Sequence, residues 1–258
     1  MFPRAIFLAL MLAASPAFAI ECPMAVRFGI MDFELSPYIN GSGPNLAYEP
    51  GIAVEWATDA LRATGCATEI HWLRMPLRRL QTELTRGDID FVLGGGPTNE
   101  RLKEWQWPMG SNGLDRSLFF AKIDTSFFAL PGTRIWGENR TLPPGTKIGV
   151  VRGSTEQTLA SGRNWLIEEA PDIGAGFKML EAGHVQLMLV QDLLDPAEQR
   201  LIDSGKLVKL TPPLATVYHY VPASHAFYGR YGEFTRAFWS EICQAARKSR
   251  PQDGECHE

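Results

Sequence analysis

The sequence has few cysteines, no excess of basic charge and, beyond its first residues, no long hydrophobic run. Its longest unbroken apolar stretch is Ala5–Ala14, ten residues. A helix that crosses a hydrocarbon core needs about 20, so no segment is expected to span a membrane. Lys and Arg number 25 against 29 Asp and Glu, for a net charge of −4. That balance excludes a strongly basic nucleic-acid binder, and no nucleic-acid partner is expected. There is no G-x-S-x-G, no Walker loop, no H-E-x-x-H and no dinucleotide G-x-G-x-x-G. Without those motifs no catalytic residue, metal or cofactor is assigned. The four cysteines Cys22, Cys66, Cys243 and Cys256 form no C-x-x-C pair and have no histidine at metal-ligand spacing.

What remains is the composition of a folded chain. Apolar residues make up 45% and charged residues 21% of the 258, and the length allows one large or two small domains. The first 19 residues read as a secretory signal peptide. Arg4 precedes the apolar run, Ser15-Pro16 breaks it, and Ala17-Phe18-Ala19 supplies an A-x-A cleavage site. The mature protein is therefore expected to begin at Ile20 and to be exported to the periplasm. Export favours disulfides, and four cysteines allow three pairings. Cys22 precedes the first strand candidate and Cys66 the second. If those strands are parallel neighbours, both cysteines lie at one sheet end within bridging reach, which leaves Cys243 for Cys256.

Hydrophobic periodicity gives the architecture. Ala25–Ile30 predicts a strand, Asp32–Tyr48 a loop and Ile52–Thr64 a helix. Thr68–Leu73 predicts a strand, Leu77–Arg86 a helix after Pro76, and Ile89–Leu93 a buried strand. The order β-α-β-α-β argues for a parallel sheet flanked by helices. A second cycle follows. Ser117–Ala121, Ser126–Leu130, Lys147–Val151, Val185–Val190, Leu207–Leu210 and Val217–Val221 read as strands. Glu156–Ala160, Pro196–Ser204 and Tyr231–Arg247 read as helical. The fold class is thus α/β with two lobes. Lobe 1 is expected over 20–112 and 218–258 and lobe 2 over 113–217, joined by short strands.

Several segments resemble periplasmic solute-binding proteins of ABC importers of the polar amino acid type. They are Gly51-Ile52-Ala53-Val54-Glu55, Gly87-Asp88-Ile89-Asp90, Thr98-x-Glu100-Arg101 and Trp105-x-Trp107-Pro108, then Lys147–Ser154 and Gly183-His184-Val185-Gln186. The likeness runs from about residue 25 to 240. It implies two lobes, joined by two hinge strands, that close on a ligand between them.

The resemblance also implies a set of binding residues. Arg101 matches the arginine that grips a ligand carboxylate, a role suited to a planar guanidinium fork. Thr98 opens its motif. Gly94 and Gly96 offer backbone groups at close approach; at Gly96 the family usually carries a Thr or Ser. Asp32 falls at the end of the first strand, and Tyr38 stands where an aromatic residue can stack on the ligand. Arg78 either points into the cleft or belongs to a solvated basic face shared with Arg74 and Arg86. Ser154 and Thr155 open a helix whose free N–H groups favour an anion or carbonyl, and Ser154 can also act as a plain N-cap. The acid that holds a ligand amine falls on Asp192, or on its neutral neighbour Gln191. The implied partners are a small polar, carboxylate-bearing solute and an inner-membrane ABC importer or another exported protein, with the chain a monomer. The alternatives are a sensor or accessory protein without transport, and a small-acid lyase of the cyclohexadienyl dehydratase kind, for which Glu100 or Asp32 would have to serve as acid or base.

Overall fold

The computed structural model describes residues 20–256. The expected signal peptide and its cleavage site lie outside the described residues. Among those described, no helix is long and apolar enough to cross a membrane.

The chain begins as the alternation of the sequence predicts. β1 (Ala25–Met31), α1 (Ile52–Ala63), β2 (Glu69–Met75), α2 (Leu77–Arg86) and β3 (Phe91–Val92) follow in order. β1 runs parallel to both β2 and β3 in a three-stranded sheet of order β2-β1-β3. Helix α1 buries Ala53, Val54, Trp56, Ala57, Ala60 and Leu61, a stripe at helical spacing. Its first N–H groups are met by the preceding loop: Ile52 donates to the Pro37 carbonyl (3.0 Å) and Ala53 to that of Tyr38 (3.1 Å). Gly51 makes this approach possible, since a Cβ there would lie 2.5 Å from the Tyr38 carbonyl oxygen. The sequence thereby fixes Tyr38 at the edge of the lobe.

The short helix α3 (Arg101–Glu104) and the hairpin of β4 (Met109–Gly110) and β5 (Gly113–Leu114) lead to the second sheet. There, β6 (Ala121–Ala129), β7 (Lys147–Val151), α4 (Thr155–Ser161), β8 (Leu166–Ala170), α5 (Ile173–Glu181), β9 (Leu187–Gln191), α6 (Pro196–Asp203), β10 (Val208–Lys209) and β11 (Ala215–His219) follow. β8, β7 and β9 are parallel, while β6 runs antiparallel to β9, β10 and β11. Successive side chains face opposite sides of this sheet, as the strand pleat requires. Phe127, Leu187 and Leu189 join one apolar cluster, and Phe128, Met188 and Val190 the other. The strand expected at 117–121 is not formed over 117–120, where the chain turns; β6 begins at Ala121 and takes in most of the strand expected at 126–130, and β8 and α5 were not anticipated. Exposed polar residues along Leu166–Ala170 and two glycines within α5 obscure their periodicity.

The chain returns to the first lobe through Tyr220–Ala223, which bridges Phe91, Gly95 and Gln106. It ends in α7 (His225–Ser249), kinked at Tyr231, and a 3₁₀ turn at Pro251–Asp253. The two sheets hand over at Phe120, whose N–H donates to the His219 carbonyl (2.9 Å). Lobe 1 has an aromatic core in which Phe28, Phe91, Phe227 and Phe238 interlock with centroids 5.0–5.6 Å apart. Cys22 pairs with Cys66 (Cα–Cα 5.6 Å) and Cys243 with Cys256 (6.1 Å), and both bonds lie in lobe 1.

Candidate functional site

A cavity of about 80 Å³ lies between the lobes. Met31 and Phe33 at the end of β1, Leu93, Gly94 and Gly96 after β3, Val151 at the end of β7 with Ser154 and Thr155 after it, and Val190 and Gln191 of β9 line it. These are the carboxyl ends of parallel strands from both sheets, where helices begin and strand order leaves a crevice. Leu35, Tyr38, Leu77, Phe120, Ile123, Ile173 and Leu193 make most of the wall apolar.

Arg101 is the buried cation of this cavity. It leaves the first turn of α3 and is 9% exposed. Thr98 Oγ1 accepts its backbone N–H (3.2 Å), so Thr98 caps the short helix. Trp107 Nε1 donates to the Arg101 carbonyl (2.9 Å), and the guanidinium lies over the Trp105 ring at 5.4 Å. The aromatic segment therefore fixes the arginine from below. Its Nη1 donates to the Gly96 carbonyl (2.7 Å) in its own lobe and to Thr155 Oγ1 (3.1 Å) across the cavity. Its Nη2 donates to the Gly153 carbonyl (2.6 Å), also across the cavity. Burial lowers the Arg101 pKa from its usual value, and the nearby Glu156 opposes that shift.

Gly96 and Thr155 explain each other. A Cβ on Gly96 would lie 2.6 Å from Thr155 Oγ1. The hydroxyl that the resemblance led one to expect at position 96 comes instead from lobe 2, and only a glycine leaves room for it. Ser154 caps α4, its Oγ accepting from Gln157 N–H (3.1 Å). Further contacts cross the cleft mouth. Gln81 Nε2 donates to the Gly153 carbonyl (2.6 Å), and Arg78 lies 4.0 Å from Glu169.

Of the residues singled out in the sequence, Tyr38, Gly94, Gly96, Arg101, Ser154, Thr155 and Gln191 line the cavity. The others do not. Thr98 acts through the helix it caps. Arg78 is largely exposed on α2 and faces Glu169 at the mouth. Arg74 is no part of a solvated helix face: it is buried on β2 and donates to the carbonyls of Met31 and Asn40, bracing the 32–50 loop. Asp32 accepts the Gly43 N–H on its carbonyl (2.6 Å), and its carboxylate acts on Arg74. Asp192 turns to Lys209 (3.0 Å), so Gln191 is the neighbour that reaches the cavity. Glu100 is exposed and also lies outside it.

Two polar cavity residues stand outside the site candidates of the sequence: Glu156, which it did not single out, and His219, to which it gave a core or surface role near the hinge. Glu156 is 4% exposed and accepts from Thr125 Oγ1 (3.3 Å) and Gln191 Nε2 (3.0 Å). An acid in the first turn of a helix is favoured wherever the helix lies, so residue type alone did not distinguish it. His219, at the end of β11, is 5% exposed and places Nδ1 3.1 Å from the Gly94 carbonyl. Burial pushes its pKa down to about 4, which keeps it neutral at neutral pH. Among the described residues no cluster of three His, Cys, Asp or Glu side chains could hold a metal ion.

No protein-family model matches the chain, and no curated protein matches its sequence. Solved structures do match in fold. An amino acid ABC transporter substrate-binding protein from Streptococcus pneumoniae, bound to L-arginine, aligns with a TM-score of 0.64 at 14% identity, covering 89% of this chain and 91% of that one. A histidine kinase sensor domain with similarity to periplasmic binding proteins gives 0.64 at 14% identity, covering 89% and 92%. An ancestral amino acid-binding protein, a precursor of cyclohexadienyl dehydratase, gives 0.61 at 12%, covering 88% and 94%. The chain therefore has the bilobed α/β fold of periplasmic binding proteins.

Proposed function

We propose that this protein captures a small polar, carboxylate-bearing solute between its lobes by hinge closure and serves as the periplasmic binding component of an ABC importer. The observation that carries this reading is Arg101. A buried cation rooted in lobe 1 makes its bonds to Gly153 and Thr155 of lobe 2 at the wall of the cavity. A ligand that touches both walls stabilises the closed form by its differential contacts. Arg101 has two further N–H groups, on Nε and Nη2, that donate to none of the described residues. These leave the guanidinium with donors that a carboxylate can accept. The boundaries that go with this reading are 20–112 with 218–258 for one lobe and 113–217 for the other, and the working form is a monomer without catalytic activity.

A sensing or accessory role would use the same closure, and the likeness to a sensor domain favours keeping it as a second reading. The two differ in which partner reads the closed form. The test is a thermal-shift screen of the full chain against amino acids, dicarboxylates, sugars and polyamines. Stabilisation by one carboxylate-bearing class, through mass action on the folded state, is the expected result. No stabilisation by any class would contradict the reading.

A further inference from the structure

The carboxyl-terminal end of the chain packs against the candidate site from outside the cavity. Helix α7 ends at Ser249, and the 3₁₀ turn at Pro251–Asp253 brings Cys256 back to Cys243. Cys243 is fully buried, and its Sγ is packed 3.0 Å from the carbonyl oxygen of Ser117. Ser117 belongs to the segment that leads out of lobe 1 into β6. This disulfide is therefore set against the crossing between the two sheets. Cys22–Cys66 instead ties the start of the chain to the turn between α1 and β2.

Two arginines of the same segment reach aromatic rings. The Arg247 guanidinium lies 4.1 Å from the centre of the Phe119 ring. All three of its nitrogens are buried and have no hydrogen-bond partner among the described residues. Burial alone would disfavour a cation there, so the ring face and a nearby carboxylate have to hold it. That carboxylate is Asp253, which opposes the lowering of the Arg247 pKa by burial. Phe119 in turn meets the Tyr218 ring of β11 edge-on at 4.9 Å, so Arg247 bears on both segments that cross between the lobes.

Arg250 lies 5.6 Å from the centre of the Tyr38 ring and pairs through Nε with Asp253 (3.1 Å). The Asp253 side chain, 7% exposed, thus serves both arginines. Tyr38 is buried and lines the cavity. Behind it is a groove of about 410 Å³, with Arg250, Gln252 and Asp253 on the lobe 1 side and Lys122, Asp124 and Asp192 on the lobe 2 side. Tyr38, Ile123 and Leu193 line both spaces and form the partition between them.

We propose that residues 247–256 form a strap whose arginines are positioning residues of the solute site, Arg247 for the crossing segments and Arg250 for Tyr38, with Cys243–Cys256 as its fastening. The inference rests on the solute-binding reading above and adds to it residues outside the cavity that set its shape. Neither Cys243 nor Cys256 lines the cavity, yet their bond contributes to affinity. The order is the reverse of that expected from chain entropy. The bond that closes 13 residues matters more to the site than the one that closes 44.

The test is made on the full chain with every tyrosine replaced by 3-fluorotyrosine, and the fluorine-19 signals of Tyr38 and Tyr218 are assigned with Tyr38→Phe and Tyr218→Phe. Arg250→Ala should move the Tyr38 signal and leave that of Tyr218. Arg250→Lys, which keeps a cation over the ring, should return it most of the way. Arg247→Met should move the Tyr218 signal. Cys243→Ala with Cys256→Ala should move both, and Cys22→Ala with Cys66→Ala neither, although the latter pair is the more destabilising. A merely structural role would follow stability and give the opposite order. Calorimetry with millimolar 3-methylbutanoate, a small carboxylate, should show binding weakened about two- to fivefold by Arg250→Ala and by loss of Cys243–Cys256. Loss of Cys22–Cys66 should leave that affinity unchanged.

Tyr38 and Tyr218 signals that stay in place without the Cys243–Cys256 bond, or that move as far without Cys22–Cys66, would overturn the proposal. So would a Tyr38 signal that Arg250→Lys does not restore, or an affinity that none of the replacements changes. If the Cys243–Cys256 replacement does not fold, the arginine variants decide. If 3-methylbutanoate does not bind the unaltered protein, the carboxylate reading fails, and the fluorine signals, recorded without solute, still decide on the strap.

Discussion

The two lobes share a β-α-β plan but present different chemistry to the cleft. Lobe 1 contributes the cation, Arg101, and holds it in place with Thr98, Trp105 and Trp107. Lobe 2 contributes acceptors and hydroxyls: the Gly153 carbonyl, Ser154, Thr155 and Glu156. Lobe 1 also carries both disulfides, whereas lobe 2 contains no cysteine. One jaw is stapled and presents a fixed donor; the other, held by its sheet and two apolar layers, presents the groups that receive it. Under the proposed closure, selection would rest on chemistry as well as shape, since neither wall satisfies its polar groups alone.

Removing the donor should break this complementarity most severely. Arg101→Ala deletes the bonds to Gly153 and Thr155 together with the proposed carboxylate grip. A loss of about 2–5 kcal/mol in binding a carboxylate solute is expected, measured by calorimetry. The staples come next. The Cys22–Cys66 bond closes a separation of 44 residues and Cys243–Cys256 one of 13. Chain entropy assigns them about 4 and about 3 kcal/mol. Cys22→Ala with Cys66→Ala should therefore lower stability in urea more than the other double replacement does, and hydrogen exchange should rise in lobe 1 before lobe 2.

Acid titration sharpens the comparison further. Burial holds His219 at about 4, below the ordinary 6.5. Between those values the unfolded chain binds a proton that the folded chain does not, so stability falls as pH drops through the window, by about 3 kcal/mol. In lobe 2, burial raises Glu198 to about 7 from 4.5. There the folded chain binds the extra proton, so stability falls as pH rises between 4.5 and 7. The two slopes oppose each other. His219→Phe should expose the Glu198 slope in urea titrations across this range, and Glu198→Gln the His219 slope. The smallest expected effect is steric. Gly96→Ala sets a Cβ against Thr155 Oγ1 and should disfavour closure by about 1–3 kcal/mol. Adding Thr155→Ala removes that oxygen and should recover most of the loss, read as compaction in solution scattering.

The same contrast governs what could be read from the sequence. In lobe 1 the local signals agree. Pro76 opens α2, Gly87 closes it and α1 has a clean apolar spacing, whereas Arg101 is implied by the family resemblance of the Thr98–Pro108 segment and not by any local pattern. Lobe 2 gave fewer such signals. Strand β8 shows exposed acids at Glu168 and Glu169, and α5 carries Gly174 and Gly176, so neither has a clean period. The pairing of Arg101 with Thr155 spans 54 residues, and no local pattern encodes a contact that exists only when the lobes meet. Glu156 illustrates the same limit, since burial of an acid depends on the partners that fold around it, here Thr125 and Gln191. Position 191 or 192 could not be chosen by counting, because the last residue of a strand faces wherever the following turn directs it. The structure turns Asp192 to Lys209 and Gln191 to the cavity.

The central claim is that the lobes close on a solute that both walls hold. Spin labels at Thr82 on α2 and Thr158 on α4, both exposed positions on opposite lobes, would report the gap directly. With a stabilising solute at saturation, the distance distribution should narrow and shorten relative to the solute-free protein. An identical distribution in the two conditions would contradict the account.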